Sequence, residues 1–178
     1  MNKKVLVISG SYRKGGNSDT LCDEFIKGAT EAGNNVEKIN LRDKKIGFCT
    51  GCYACQNTGK CIQKDDVQEI LDKMEEADAI VMATPIYFYA MCGQMKTLID
   101  RTVSIYGHMS NKDMYYIMTA FDGNKNNFMR TLEEFRGFMD CYSDLREKGV
   151  IFGTGVYEIG AVKNTHHMKD AYEMGKSV

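Results

Sequence analysis

The sequence predicts an α/β fold, a doubly wound five-stranded parallel sheet, from three observations. Short continuous apolar runs such as Val5–Ile8 and Ala79–Ala83 are what strands buried on both faces require. Such runs alternate from end to end with segments whose apolar residues recur at helical spacing. Right-handed crossovers between parallel strands then place helices on both faces of the sheet.

Val5–Ile8 is the first strand, and a glycine-rich turn from Gly10 to Gly16 follows it. Asn17 or Ser18 caps a helix that carries Leu21, Cys22, Phe25, Ile26 and Ala29, and Gly33 closes it. Asn35–Leu41 is the second strand, followed by a cysteine-rich loop at about residues 48–62. Asp65-Asp66 opens a helix with Val67, Ile70, Leu71 and Met74 on its apolar face. Ala79–Ala83 is the third strand, and a helix runs from about Cys92 to Ile105. Met114–Thr119 is the fourth strand, Asn126–Cys141 a helix, Val150–Val156 the fifth strand and His167–Gly175 a short last helix.

At 178 residues the chain is expected to form a single domain, 1–178. Lys+Arg of 23 against Asp+Glu of 24, with no block of like charge, argues against a nucleic-acid partner. The longest apolar stretch, Ala79 to Gly93, breaks at Thr84-Pro85 and is too short to span a bilayer, so no membrane partner is expected. Lys3-Lys4 precedes only a short apolar run that ends at Ser9-Gly10-Ser11, which is not a signal peptide. The expected location is cytoplasmic, where clustered cysteines point to metal or redox chemistry more often than to structural disulfides.

Ligands of such sheets bind beyond the carboxyl ends of the strands. After the first strand, Ser9 to Ser18 offers backbone N–H groups at a helix N-terminus, hydroxyl and amide donors, and the Arg13 guanidinium. Those groups suit a phosphate monoester. A Walker loop fails because Gly16 and Asn17 stand where Gly-Lys is needed, and the Gly-x-Gly-x-x-Gly spacing is absent here. A phosphatase-type Cys-x5-Arg is missing as well, since four residues separate Cys141 from Arg146. The plain alternative is a surface turn rich in Gly and Ser. After the third strand, Thr84 to Met91 holds three consecutive aromatics and Pro85, the chain's one proline. Such a loop can lie against a planar ring. Its alternative is burial of the aromatics under neighbouring helices or in a subunit interface.

Seven cysteines are present, and four of them, Cys49, Cys52, Cys55 and Cys61, are spaced x2, x2 and x5. Thiolates so close can wrap a compact iron–sulfur cluster. The ferredoxin pattern does not match, because the last gap is five and Ile62 stands where proline should. Zinc sites pair short hairpins across a longer interval. Cluster, free thiols, zinc and disulfide all remain open on spacing alone. Cys22, Cys92 and Cys141 read as packing residues. His108, His166 and His167 show no ligand spacing with carboxylates or cysteines and read as surface residues.

The loop Gly10-Ser11-Tyr12-Arg13 to Ser18 and the segment TPIYFYAMCGQMKTLIDR, Thr84–Arg101, resemble the two flavin loops of flavodoxin-like NAD(P)H-dependent FMN reductases. The cysteine segment, with Asp65-Asp66 after it, resembles the compact motif of the family's iron–sulfur flavoproteins. The resemblance covers the chain to about Thr119 and is looser beyond. It implies a flavodoxin-like fold with strand order 2-1-3-4-5, one FMN per subunit, and homodimers or homotetramers. By position, Ser11, Arg13, Asn17 and Ser18 would bind the FMN phosphate, and Pro85, Ile86, Tyr87 and Phe88 would line the ring. Thr119 and Ala120, in a loop that departs from the family's usual Gly-Gly, would close the other side. Cys49, Cys52, Cys55 and Cys61 would ligate a [4Fe–4S] cluster near the flavin. The implied activity is an FMN-dependent oxidoreductase supplied by NAD(P)H or a ferredoxin-like electron donor, with no catalytic side chain assigned. The alternative is a non-enzymatic flavodoxin-type electron carrier, and a weaker one a zinc- or thiol-based redox sensor.

Overall fold

The computed structural model describes residues 2–178. β1 (Lys4–Ser9) lies between β2 (Asn35–Asn40) and β3 (Ala79–Tyr87), both parallel to it. β5 (Lys112–Thr119) joins β3, and β6 (Leu145–Gly153) joins β5, again parallel. The two-residue β4 (Ala90–Met91) folds back antiparallel on β3. The order is β2-β1-β3-β5-β6 with β4 off the path, so the five parallel strands stand in the expected order.

Successive side chains of a strand point to opposite faces, which gives the sheet two cores. Leu6, Ile8, Ile80, Met82, Tyr116 and Met118 meet Ile70 and Leu71 of α3 (Val67–Glu76), Leu98 of α4 (Gly93–Arg101) and Phe135 of α5 (Met129–Met139). Val5, Val7, Val81 and Ile117 meet Leu21 and Phe25 of α1 (Asn17–Glu31) and Ala171 of α6 (His167–Lys176). α1 and α6 approach so closely that a Cβ at Gly28 would sit 2.1 Å from the Tyr172 carbonyl oxygen, and one at Gly175 2.1 Å from that of Phe25. Only glycine fits at that crossing.

Some boundaries differ from expectation. β3 runs on to Tyr87, so Pro85, Ile86 and Tyr87 lie in a strand and not in a loop. β6 begins at Leu145, not Val150, and ends at Gly153. Its first half is a charged edge, Arg146-Glu147-Lys148, in which Arg146 and Glu147 pair with Asp113 and Met114 ahead of a bulge that skips Lys148, and it carries no apolar signal. The helix expected from Cys92 to Ile105 is α4 plus a 3₁₀ turn, Thr102–Ile105. There the Thr102 and Ser104 hydroxyls donate to the carbonyls of Ile99 and Arg101, three residues back. Neither Asn17 nor Ser18 caps α1; Gly16 holds that position and no side chain caps the helix. A one-turn helix, α2 (Cys55–Thr58), inside the cysteine loop was not foreseen; it ends at left-handed Gly59.

Candidate functional site

The parallel strands all end at one edge; after β1 the chain passes to β2 on one side, and after β3 it passes to β5 on the other. That divergence is the switch point where open α/β sheets bind ligands. The loops after β1, β3, β5 and β6 gather there.

In the first loop the uncapped first turn of α1 leaves its N–H groups without a side-chain partner. Ser11 is buried and its hydroxyl donates to the Arg13 carbonyl at 3.2 Å. Arg13 is exposed; its guanidinium donates to the Tyr157 carbonyl at 3.1 Å and stacks over that ring at 5.6 Å. Asn17 is buried, and its amide bridges the Glu158 carbonyl and the Val162 N–H. It braces the loop after β6. Ser18 shares a 2.6 Å hydrogen bond with Thr119, tying the first loop to the end of β5. Asp19, an anion in the first turn, is ion-paired with Lys38 at 2.6 Å and Arg42 at 3.1 Å. Burial works to raise its carboxyl pKa, but Lys38, the Gly15 N–H and Arg42 hold it below the ordinary value. Lys38 also pairs with Asp23 and Arg42 with Asp43, so both cations are shared among carboxylates and fix the loop without leaving it a free positive charge.

After β3 the backbone turns through Phe88 and Tyr89, both left-handed at φ 52° and 63°, into β4. Two such residues form the tight primed turn of a hairpin. Phe88 is fully exposed, at 101%. Arg130 of α5 stacks on Tyr89, Thr131 donates to the Tyr89 carbonyl, and Glu134 accepts the Met91 N–H at 2.9 Å. Pro85 and Ile86 are half-buried and Tyr87 is exposed at the strand end. Across the edge, Ala120 exchanges backbone hydrogen bonds with Gly153 and Val156, while Phe121 packs edge-on against Tyr157 at 5.8 Å. The first and second loops touch through Gly10. A Cβ there would meet Cys92 Sγ at 2.7 Å and the Ala83 carbonyl oxygen at 3.2 Å, and Cys92 Sγ donates to the Gly10 carbonyl.

The cysteine loop forms a second site at the other end of α4. Cys49, Cys52, Cys55 and Cys61 all line one cavity of about 310 Å³, closed by Arg101, Val103 and Ser104. All seven cysteines are free. Cys49 and Cys52 are exposed, Cys61 is half-buried and Cys55 buried. The Ala54 N–H and the Thr50 hydroxyl favour the Cys52 thiolate, lowering its pKa. Arg101 Nη2 donates to Cys61 Sγ at 3.2 Å. Four unpaired sulfurs around one cavity, two of them with hydrogen-bond donors in place, are a donor set that fits a thiolate-bound group.

The remaining cysteines and histidines divide. Cys22 is core, its thiol pKa pushed up to about 12 by burial. Cys92 is buried at the N-cap of α4. Cys141 is exposed, contrary to a packing role, because the chain has left α5 and turned to solvent. His108 and His166 are at the surface, but His167 is 6% exposed, which corrects the surface reading. It shares the buried stripe of α6 with Ala171 and Gly175. Contrary also to the expectation of no ligand spacing, His166, His167 and Asp170 bring ligand atoms within 4.8 Å of one another. The positive end of α6 opposes a cation there. Burial, then His166, lowers the His167 pKa, against Thr154 and Asp170, which raise it. Sequence reasoning missed Asp19, Tyr157 and the roles of Gly10 and Arg101; Gly10 alone had a signal, as the glycine directly after a buried strand.

A five-stranded parallel sheet with this order, loops gathered at its switch point and an aromatic hairpin beside them define a flavodoxin-like protein. The family model for NADPH-dependent FMN reductase matches residues 3–144, and the chain belongs to that family. An iron-sulfur flavoprotein of Archaeoglobus fulgidus is 43% identical over 105 residues, 59% of this chain and 47% of that protein. A putative NAD(P)H-dependent FMN-containing oxidoreductase of Bacillus subtilis, YwqN, is 27% identical over 161 residues, 85% of each chain. The solved Trp repressor binding protein from Bacillus subtilis superposes with a TM-score of 0.72 at 23% identity, covering 97% of this chain and 98% of that one. The chain spans about half the length of the first iron-sulfur flavoproteins it matches. No helix among the described residues is long and apolar enough to cross a membrane.

Proposed function

We propose that this protein is an FMN-dependent oxidoreductase supplied by NAD(P)H or a ferredoxin-like donor, with a [4Fe–4S] cluster in the cysteine cavity. One observation carries the flavin reading: the uncapped first turn of α1 stands at the switch point, beside an exposed aromatic hairpin. In this reading Ser11, Arg13 and the α1 N–H groups receive the phosphate, and Asn17 and Ser18 hold the loop in shape for it. Pro85, Ile86, Tyr87 and Phe88 offer one face to the ring, with Thr119 and Ala120 across from them. When bound, FMN supplies hydride and single-electron chemistry, and a cluster supplies single-electron steps. Family membership and the iron-sulfur flavoprotein relatives support both cofactors. An apolar groove of about 480 Å³ between Ile99, Tyr106, Phe138 and Tyr142 suits a homodimer or homotetramer contact. The sequence keeps its cytoplasmic assignment as part of the same reading.

Protein purified without oxygen tests both cofactors. One FMN per chain, bleached rapidly by NADH or NADPH, is the expected result, with about four iron and matching acid-labile sulfide. Absence of flavin overturns the oxidoreductase reading. Flavin reduced only by a protein donor favours the carrier, and flavin without iron removes the cluster.

A further inference from the structure

One wall of the cysteine cavity is not loop but the last residue of α4. Arg101 is 1% exposed and among the largest fully buried side chains of the chain. A guanidinium does not shed its charge, so its burial has to be compensated. Asp65 meets it end-on, with Nη1 to Oδ2 at 2.7 Å and Nη2 to Oδ1 at 3.1 Å. Nη1 also donates to the Gly47 carbonyl at 2.7 Å. The remaining donation of Nη2 goes to Cys61 Sγ at 3.2 Å, and buried Nε has no partner. Asp65 is itself fixed, taking N–H bonds from Gly47 and Val67. Arg101 therefore stands between a carboxylate it neutralises and a sulfur that is a candidate ligand. It is also the end of a rigid element. α4 is preceded at its N-cap by Cys92, whose sulfur donates to Gly10 in the candidate flavin edge, and its nine residues span about 14 Å at 1.5 Å each.

We propose that Arg101 is a positioning residue for Cys61, and that its N–H···S bond raises the reduction potential of the thiolate-bound group in this cavity. The inference rests on the cluster reading above. A hydrogen bond and a positive charge at a ligand sulfur stabilise the reduced, more negative state of the group. Asp65 and Gly47 take three of the guanidinium's five N–H donors, and the fourth is aimed at the sulfur while Nε stays without a partner, so the fork is oriented towards Cys61.

The test compares wild type, R101K, R101Q and D65N, all purified without oxygen. FMN content reports folding, iron and sulfide report loading, and an EPR-monitored redox titration gives the midpoint potential. R101Q is expected to shift the reduction equilibrium about tenfold towards the oxidised state, about 59 mV for one electron. R101K, which keeps the charge but not the planar fork, is expected to shift less in the same direction. D65N is expected to lose thermal stability while its midpoint stays at or above that of wild type. If loaded R101Q and R101K melt early but keep the wild-type midpoint and EPR signal, Arg101 is a structural ion pair only and the inference fails. Should R101Q not fold, R101K decides on the same criterion. Wild type that holds FMN but no iron or sulfide overturns the cluster reading, and the inference with it.

Discussion

The candidate flavin edge and the cysteine cavity lie at opposite ends of α4, and they are built in opposite ways. At the edge, Ser11 and Arg13 lie in the short loop between β1 and α1, and most other named residues sit on the end of a buried strand, in the first turn of a helix, or in a two-residue turn. Their positions follow from core packing, as the nesting of Gly10 against Cys92 and Ala83 shows. The cavity is walled by irregular chain with one four-residue helix and left-handed residues at Gly51, Tyr53 and Gly59. Beyond Arg101 it is held by buried Cys55, by Ile46 and Cys61 packed against the core, and by a few polar anchors. Asp66 accepts the Lys45 N–H, Asp65 that of Gly47, and Gln63 donates to the Phe48 carbonyl. The edge exists because the fold exists, whereas the cavity is an insertion stitched to the fold at few points. The two should therefore fail independently.

The sharpest way to break that separation is Cys52→Ala. Cys52 is exposed and packs against no core, so its removal costs the fold little. The expected outcome is complete loss of iron and sulfide with FMN content and thermal stability unchanged. Concurrent loss of FMN would show that the two sites are one folding unit.

Arg13→Ala probes the other side with a smaller effect. Arg13 is exposed, and its contacts in the fold are one carbonyl and one ring of Tyr157. A hydrogen bond to a charged group contributes about 1.5–3 kcal/mol, which is roughly 10- to 150-fold in affinity. FMN titration of the variant should show that weakening, steeper at low salt, with iron content untouched. Unchanged affinity would confine Arg13 to bracing Tyr157 and remove it from the phosphate site.

The same contrast governs what could be read from the sequence. β1 and β3 announced themselves because strands buried on both faces are continuously apolar. Half of β6 did not, because Arg146-Glu147-Lys148 on an exposed edge looks like loop. The cysteine spacing was legible as a ligand set, but the Arg101–Cys61 bond joins residues 40 apart and leaves no local pattern. Asn17 was legible as a polar group at a helix start. That its amide is taken up by Glu158 and Val162, in a segment beyond β6, is a tertiary fact. The burial of His167 was within reach, since His167, Ala171 and Gly175 repeat at every fourth position.

The smallest effect lies at the tip of the aromatic hairpin, where the edge departs from its own rule that packing fixes position. Phe88 is fully exposed, yet its backbone is left-handed, as is that of Tyr89. For a bulky side chain that conformation costs on the order of 1–2 kcal/mol, and no packing in the chain offsets it. Phe88→Gly removes the strain but gives the unfolded chain about 0.5–1 kcal/mol of extra freedom. The net expectation is a gain of at most about 1 kcal/mol in urea unfolding of the FMN-free chain. If the ring instead stabilises a bound flavin, the same variant should weaken FMN several-fold and slow its reduction while the apo-chain melts no lower. A stabilised apo-chain with unchanged FMN affinity would remove Phe88 from the ring site and leave Pro85, Ile86 and Tyr87, in the strand behind it, as the face the flavin meets.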